Sequence, residues 1–495
     1  MASSPEITAI LSTVSEGRTK DLRYRQRQLL SLHSWIDTHA TEIAGALAAD
    51  DGRSPLEAEF VLSAVLNELR HHYESLDLKK ELAVEYSIKK GKENPDRRVA
   101  EDLVYLVPAR SSLVFSVLVV LCASIAAGCC FIVEATPDVL RRLFSESLDR
   151  RAFITVSNRP IESVLRSCLV VDQANSSSSD AGGRILTCDS QRRAVAIVDR
   201  SADLDLAAKE IAASRYFVGG EGDYAPDLVL VNEFARAEFL EAWSKHCTAL
   251  SHARSAMDGS CSSDGALHPT LDVGKSFVTI PRSRTQDPCL MGRKQHSEMK
   301  GEGLRLDEIS TRQDLNFDEA RRADTVTLLA YTSLDDAIDS LATVQQNALP
   351  ALYVFADLAP AKYLSHFIKT HVSFVNHIPA NLLIGPVAPS GYPVSTESRY
   401  RREMFESPSP QFVNVAANEL GVADAVEVET RTYKRWHEAA RSPLKPTGQP
   451  REGDVNFFVQ GLRAAIVVYV LPVALIGIFG AGFMGKKALS YLKAR

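Results

Sequence analysis

Excess positive charge is absent from this chain. Its 56 Lys and Arg are outnumbered by 62 Asp and Glu, for a formal net charge of −6. No long basic run breaks that balance, so nucleic acid is not expected as a partner. Cysteine is sparse and unpatterned. The eight residues, at 122, 129, 130, 168, 188, 247, 261 and 289, form no C-x-x-C and meet no paired histidines. Neither a metal site nor a disulfide framework is expected, and reduced thiols in an intracellular protein are the ordinary reading. The first thirty residues lack the apolar core of a signal peptide and carry the spacing of an amphipathic helix. Internal repeats are also absent.

What is present is a chain of 495 residues, 45% apolar and 24% charged, an ordinary globular composition. That length exceeds what one hydrophobic core serves, so two or more domains are expected. One segment departs from the average. From Ala464 to Gly485 there is no charged residue; Arg463 precedes it, and Lys486, Lys487, Lys493 and Arg495 follow. An uncharged run of about 20 residues with basic flanks predicts a transmembrane helix over 464–485. The expected arrangement is a membrane protein with a single-pass C-terminal anchor. The positive-inside rule would put the basic tail in the cytosol, whereas the missing signal peptide favours a cytosolic body. The latter is the expectation adopted, with the host organelle open. A second apolar run, Leu113 to Val133, contains Ser, Cys and Gly, and is expected as a buried helix and strand.

Along the chain, residues 1 to 90 carry helical spacing, with Leu22, Leu29, Leu30, Leu32, Trp35 and Ile36, then Ala58, Phe60, Val61, Ala64, Val65 and Leu69. Short apolar runs then alternate with helical stretches: LVYLV, CFIVE, FITV, AVAIVD, YAPDLVLVN and LPALYVFAD. That alternation predicts an α/β fold with parallel sheets. Asn175 to Gly183 reads as a loop, and Ser251 to Arg322 as a polar, loosely ordered stretch.

Two segments carry a family resemblance. Ala196–Ala207 (AIVDRSADLDLA) and Gly219–Leu230 (GGEGDYAPDLVL) resemble the aldehyde dehydrogenase family, in which the second segment reads G-Q-x-C-x-A-P-x-x-V-L. LRYRQRQLLSL, Ser124–Gly128, and SLDDAI followed by LPALYVF are similar to further stretches in the same order, so the resemblance runs from roughly residue 20 to 410. The N-terminal helices are closest in character to the membrane-anchored branch that oxidises fatty and apocarotenoid aldehydes. The resemblance implies N-terminal helices and a Rossmann-like coenzyme domain over 1–189, and a catalytic-type α/β domain over 190–385. A C-terminal segment and linker over 386–455 would lead to the membrane helix.

The same resemblance shows which groups have been replaced. The nucleophilic Cys position holds Asp223. The general-base Glu position holds Asp189, 34 residues earlier, which is the expected spacing. The oxyanion-hole Asn position holds Ser111, whose hydroxyl donates one hydrogen bond over a shorter reach. The Lys that would bond the cofactor ribose is Glu134. The Gly-rich turn beside the cofactor is Val156–Ile161, with Ser157 at its degenerate binding position and both glycines lost. The last ribose-holding Glu falls in Ala320–Asp324, where no trace remains. Thiohemiacetal formation and hydride transfer need a thiolate, a cofactor pocket and a base together.

The implied protein is therefore a catalytically impaired aldehyde-dehydrogenase relative, with NAD or NADP as the coenzyme if any binds. It would be a homodimer, or a heteromer with an active homologue. The alternative is NAD(P)-dependent oxidation of a long-chain or apocarotenoid-type aldehyde to its acid. Asp189 and Asp223 could also pair for hydrolysis, and Cys188 or Cys247 could substitute as the thiol, though relic carboxylates and packed thiols are the simpler readings. His371 and His377 are expected as ordinary strand and loop residues, and Arg399, Arg401 and Arg402 as a solvated face.

Overall fold

The computed structural model describes residues 5–51, 53–89, 97–109, 112–134, 137–174, 184–188, 193–220, 222–259, 304–315, 325–344, 347–409, 421–426, 430–445, 457–470 and 472. They belong to two compact units, Met1–Phe412 and Val413–Arg495.

The first unit opens with helices α1 (Pro5–Glu16), α2 (Leu22–Thr38), α3 (Ala40–Asp51), α4 (Pro55–Glu74) and α5 (Leu78–Lys89). The apolar positions expected in α2 and α4 are buried except Leu30, which is exposed, and Phe60, which is half-buried. α4 starts at a capping box, Ser54 and Glu57 bonding each other's backbone, with Pro55 as the first helical residue. A short antiparallel pair joins β1 (Arg98–Ala100) to β13 (Glu406–Pro408).

A five-stranded parallel sheet follows, from β2 (Leu103–Val107), β3 (Cys130–Glu134), β4 (Phe153–Val156), β5 (Leu169–Asp172) and β6 (Ile185–Thr187). Their spatial order is β4-β3-β2-β5-β6, so the winding direction reverses between β2 and β5. In open α/β sheets the carboxyl ends beside such a reversal form the ligand crevice. Helix α6 (Leu113–Ala127) connects β2 to β3, with α7 (Asp138–Ser147) and α8 (Glu162–Leu165) after it. All residues of α6 from Val114 onward are buried, so a helix apolar on every side is satisfied inside the body. The Leu113–Val133 run is thus a core helix and the start of β3, as its composition predicts. It ends at Gly128, with φ +98° and a would-be Cβ 3.0 Å from the Thr19 carbonyl oxygen, so both conformation and space require glycine.

The second sheet is also parallel and has six strands: β7 (Ala194–Val198), β8 (Pro226–Asn232), β9 (Arg305–Ile309), β10 (Thr325–Tyr331), β11 (Leu352–Phe355) and β12 (Ser373–Val375). Their order is β12-β11-β7-β8-β10-β9. Helices α9 (Leu204–Tyr216), α10 (Arg236–Gly259), α11 (Leu334–Val344) and α12 (Leu358–Phe367) cover its faces. Two elements correct the expected loose stretch over 251–322. α10 continues to Gly259, and RLDEI forms β9 along the edge of β10. The charges in RLDEI broke up the apolar run that marks a strand, and only Leu306 of the five is buried. Asn175–Gly183 lies outside the described residues.

The second unit contains α13 (Val422–Val426), α14 (Arg431–Arg441) and α15 (Phe457–Ala465), with a π-helical turn continuing to Val470. Among the described residues no helix is long and apolar enough to cross a membrane. Most of 464–485 lies outside them.

Candidate functional site

At the crevice of the first sheet the strand ends carry acidic side chains. Glu134 closes β3 and is the register partner of Val156 at the end of β4, which places exposed Ser157 one residue beyond it. Burial pushes the Glu134 carboxyl above its ordinary range; Arg159 offsets part of this and the Asp172 charge adds to it. Oε1 of Glu134 has no hydrogen-bond partner among the described residues. Asp172, 1% exposed at the end of β5, is a second carboxylate here that sequence reasoning missed. Gln173 follows it, also buried. It accepts from the Ala109 N–H (3.1 Å) and donates to the Ser116 carbonyl (3.3 Å) and the Tyr400 hydroxyl (2.8 Å). The loop after β2 is thereby tied to α6.

These groups test the fit of a dinucleotide. A carboxylate acceptor at the end of β3 suits ribose hydroxyls. The segment after β4 does not suit a pyrophosphate. Pro160 has no N–H, and the four-residue α8 places Glu162 in its first turn, where an anion would meet a carboxylate. Among the described residues, the end of β3 suits a ribose and the segment after β4 opposes a phosphate.

Asp223 is half-buried on the turn between α9 and β8. The chain there runs hard against the loop at 383: a Cβ on Gly222 would lie 2.2 Å from the Leu383 carbonyl oxygen. Tyr224, fully buried, accepts from the Ala388 N–H (3.1 Å), and its carbonyl accepts from the Tyr353 hydroxyl (2.9 Å). The turn that presents Asp223 is therefore held at both ends.

Arg399 organises the other wall. It is 3% exposed, which corrects the expected solvated face. Its guanidinium donates to the carbonyls of Asn381 (3.2 Å), Leu382 (3.2 Å), Ile384 (2.9 Å) and Pro386, and sits over the rings of Tyr224 (5.2 Å) and Phe115 (5.6 Å). A planar fork with five donors can bind that many carbonyls; an ammonium could not. Arg402 is also drawn inward, pairing with Glu81 (2.9 Å) and Glu406. Behind Arg399, the Glu68 carboxyl accepts from the Arg399 backbone N–H. Burial pushes it up to about 7, with the Arg399 charge acting against that. Next on α4, His72 is pulled down to about 3 by burial and by neighbouring His71.

Cys188 does not offer a reactive thiol. It is fully buried, its Sγ lies 3.2 Å from the Tyr400 hydroxyl, and burial pushes it up to about 12 even against that hydrogen bond. The Asp223 charge reaches it and raises it further. Cys247 is half-buried on α10, and burial lifts it to about 12 as well. His377 is a surface residue near Glu210 (3.7 Å). Thus the structure brings Glu134 and Ser157 together on adjacent strand ends, and brings Asp223 near Cys188. Ser111, Asp189 and Ala320–Asp324 lie outside the described residues. Nothing in their spacing marked Arg399, Tyr400, Gln173 or Glu68 in the sequence, because long-range packing creates their roles.

Two wound parallel sheets, with the second carrying the Asp223 turn beside the crevice of the first, define an aldehyde-dehydrogenase-like α/β protein. No family model matches the chain. It is 23% identical over 378 residues to 4,4'-diaponeurosporen-aldehyde dehydrogenase of Staphylococcus aureus, covering 69% of this chain and 77% of that protein. It is 24% identical over 262 residues to aldehyde dehydrogenase family 3 member A2 of Rattus norvegicus, covering 48% of this chain and about half (53%) of the rat protein. Among solved structures, substrate-bound Staphylococcus aureus AldH superposes with a TM-score of 0.61 at 16% identity, over 88% of this chain and 98% of that one. Betaine aldehyde dehydrogenase from Staphylococcus aureus, in complex with NAD+, gives 0.56 at 12% identity over 81% and 85%. Sequence relatives and solved structures consistently indicate the aldehyde dehydrogenase family.

Proposed function

We propose that this chain is a membrane-anchored aldehyde-dehydrogenase-like protein whose thiol-dependent oxidation is impaired. The observation that carries the reading is the turn before β8. It presents Asp223 half-buried, and the nearby thiol, Cys188, is sealed and protonated. A carboxylate is a poor nucleophile towards an aldehyde, and its adduct cannot pass to a thioester. Pro160 and Glu162, after β4, oppose an anion where a coenzyme's phosphates would approach. What the site does well is hold shape: Arg399 fixes the loop at 381–386, and Gln173 ties the loop after β2 to Tyr400.

In this reading 464–485 anchors the chain as a single pass with its body in the cytosol, and the protein acts as a homodimer or as the partner of an active homologue. Recovery from membranes of the protein alone, as a monomer, would remove the partner role. A second reading, NAD- or NADP-dependent oxidation of a long-chain or apocarotenoid-type aldehyde, is favoured by one observation: the name of the Staphylococcus aureus relative, 4,4'-diaponeurosporen-aldehyde dehydrogenase.

The test is aldehyde-dependent NAD(P)H formation by the detergent-solubilised full chain, with short- and long-chain aldehydes. We expect none above the background of heat-denatured protein. Saturable turnover would overturn impairment and establish the second reading.

A further inference from the structure

Helix α14 has the sequence RTYKRWHEAAR and buries none of its residues. Thr430 caps it, accepting from the Tyr433 N–H at 3.3 Å. At the pitch of an α-helix, Thr432, Tyr433, Trp436, Ala439 and Ala440 share one side, and Arg431, Lys434, Arg435, Glu438 and Arg441 the other. His437 stands at the boundary, stacked on Tyr433 with ring centroids 5.8 Å apart. Trp436 is 55% exposed, whereas Trp35 and Trp243 are 8% and 0% exposed. Four cations against one carboxylate make this helix basic in a chain whose net charge is −6.

A helix this short does not persist in water on intrinsic propensity, so its apolar side calls for a partner. The composition of that side selects the partner. A protein groove takes large aliphatic or aromatic anchors repeated along the helix. Here there are two amphipathic rings among small residues, backed by a row of Arg and Lys. Tyr and Trp favour the headgroup level of a bilayer, and basic residues favour anionic phosphates. The uncharged run 464–485 follows shortly in the chain.

We propose that α14 is an interfacial helix that lies on an anionic phospholipid surface. Tyr433 and Trp436 would enter the headgroup–acyl boundary, and Arg431, Lys434, Arg435 and Arg441 would engage lipid phosphates. The proposal deepens the membrane reading of the preceding subsection and rests on it for the source of the lipid.

The experiment reconstitutes the full chain with vesicles of phosphatidylcholine alone or mixed with phosphatidylserine. Resistance to alkaline extraction reads the anchor. Trp436 reads α14, through quenching by brominated acyl chains, with Trp436→Phe setting the background from the two buried indoles. The expected result is quenching in phosphatidylserine vesicles that falls several-fold in high salt and in Lys434→Glu/Arg435→Glu. Extraction-resistant protein without Trp436 quenching would overturn the interfacial helix and leave the anchor. Quenching in extractable protein would support the helix and remove the anchor. Quenching indifferent to phosphatidylserine and to the double variant would overturn anionic recognition. A Trp436 shielded from acrylamide yet untouched by brominated lipid would place a protein on this face and also overturn the proposal.

Discussion

Arg399 lies 5.2 Å above the ring of Tyr224, the residue that follows Asp223. One buried cation thus couples the turn carrying Asp223 to the loop at 381–386, whose carbonyls it collects. Removing it strands those carbonyls and leaves Glu68 without its charge partner. Arg399→Met should cost about 3 kcal/mol or more in a denaturant titration. Arg399→Lys should recover only part of that, because an ammonium cannot reach several carbonyls in one plane. Equal stability of Arg399→Met and the parent would show that the guanidinium does not hold the loop.

Glu68 sets a pH dependence whose sign follows from its shift. Its folded value, about 7, lies above the ordinary 4.5. Its stabilising contribution is therefore complete below the ordinary value and lost as pH rises through about 7, amounting to about 3 kcal/mol at most. Glu68→Gln keeps the neutral form at every pH. Its melting temperature should gain on the parent's between pH ~5 and ~8, and parallel curves would discount the group.

His72 works in the opposite direction. Folding lowers it from 6.5 to about 3, so its contribution is present above 6.5 and lost as pH falls towards 3. His72→Gln should flatten the acid limb of the stability profile after allowance for a constant offset. An unchanged slope on that limb would mean other groups carry it.

Gly222→Ala places a Cβ where the Leu383 carbonyl oxygen is only 2.2 Å away. Backbone cannot yield as a side-chain tip does, so about 2 kcal/mol or more of stability should be lost. A neutral effect, measured by thermal unfolding, would show that the loop at 383 can retreat.

Cys188 should resist alkylation by iodoacetamide under native conditions and react once the chain unfolds, since burial keeps it protonated. Mass mapping of labelled peptides reads this directly. Rapid native labelling of Cys188 would return it to the list of possible nucleophiles.

Asp223→Cys restores a thiol to the turn but leaves Glu134, Asp172 and Pro160 around the crevice. The variant should form no NAD(P)H from aldehydes, even where the new thiol reacts with an aldehyde analogue. Turnover by the single variant would mean the crevice accepts a coenzyme after all.

Much of the fold can be read from local pattern. LVYLV, CFIVE and AVAIV are β2, β3 and β7 because continuous apolar runs of strand length suit sheets covered on both faces. β9 could not be read this way, since RLDEI is an edge strand whose charges interrupt the apolar run and whose only buried residue is Leu306. At the site, the blocks flanking 223 set the register on which the resemblance rests. Arg399 was not, because Arg399, Arg401 and Arg402 look alike in sequence, and only packing decides which of them meets backbone carbonyls.

By itself, then, the sequence determined most of the element types and the parallel sheets. Periodicity and residue chemistry are local properties. The tertiary structure alone decided that Cys188 is sealed, that Glu68 holds its proton near neutrality and that Gln173 links β5 to Tyr400. Burial, and hydrogen bonds between residues far apart in the chain, exist only once the two sheets and the helices around them have packed.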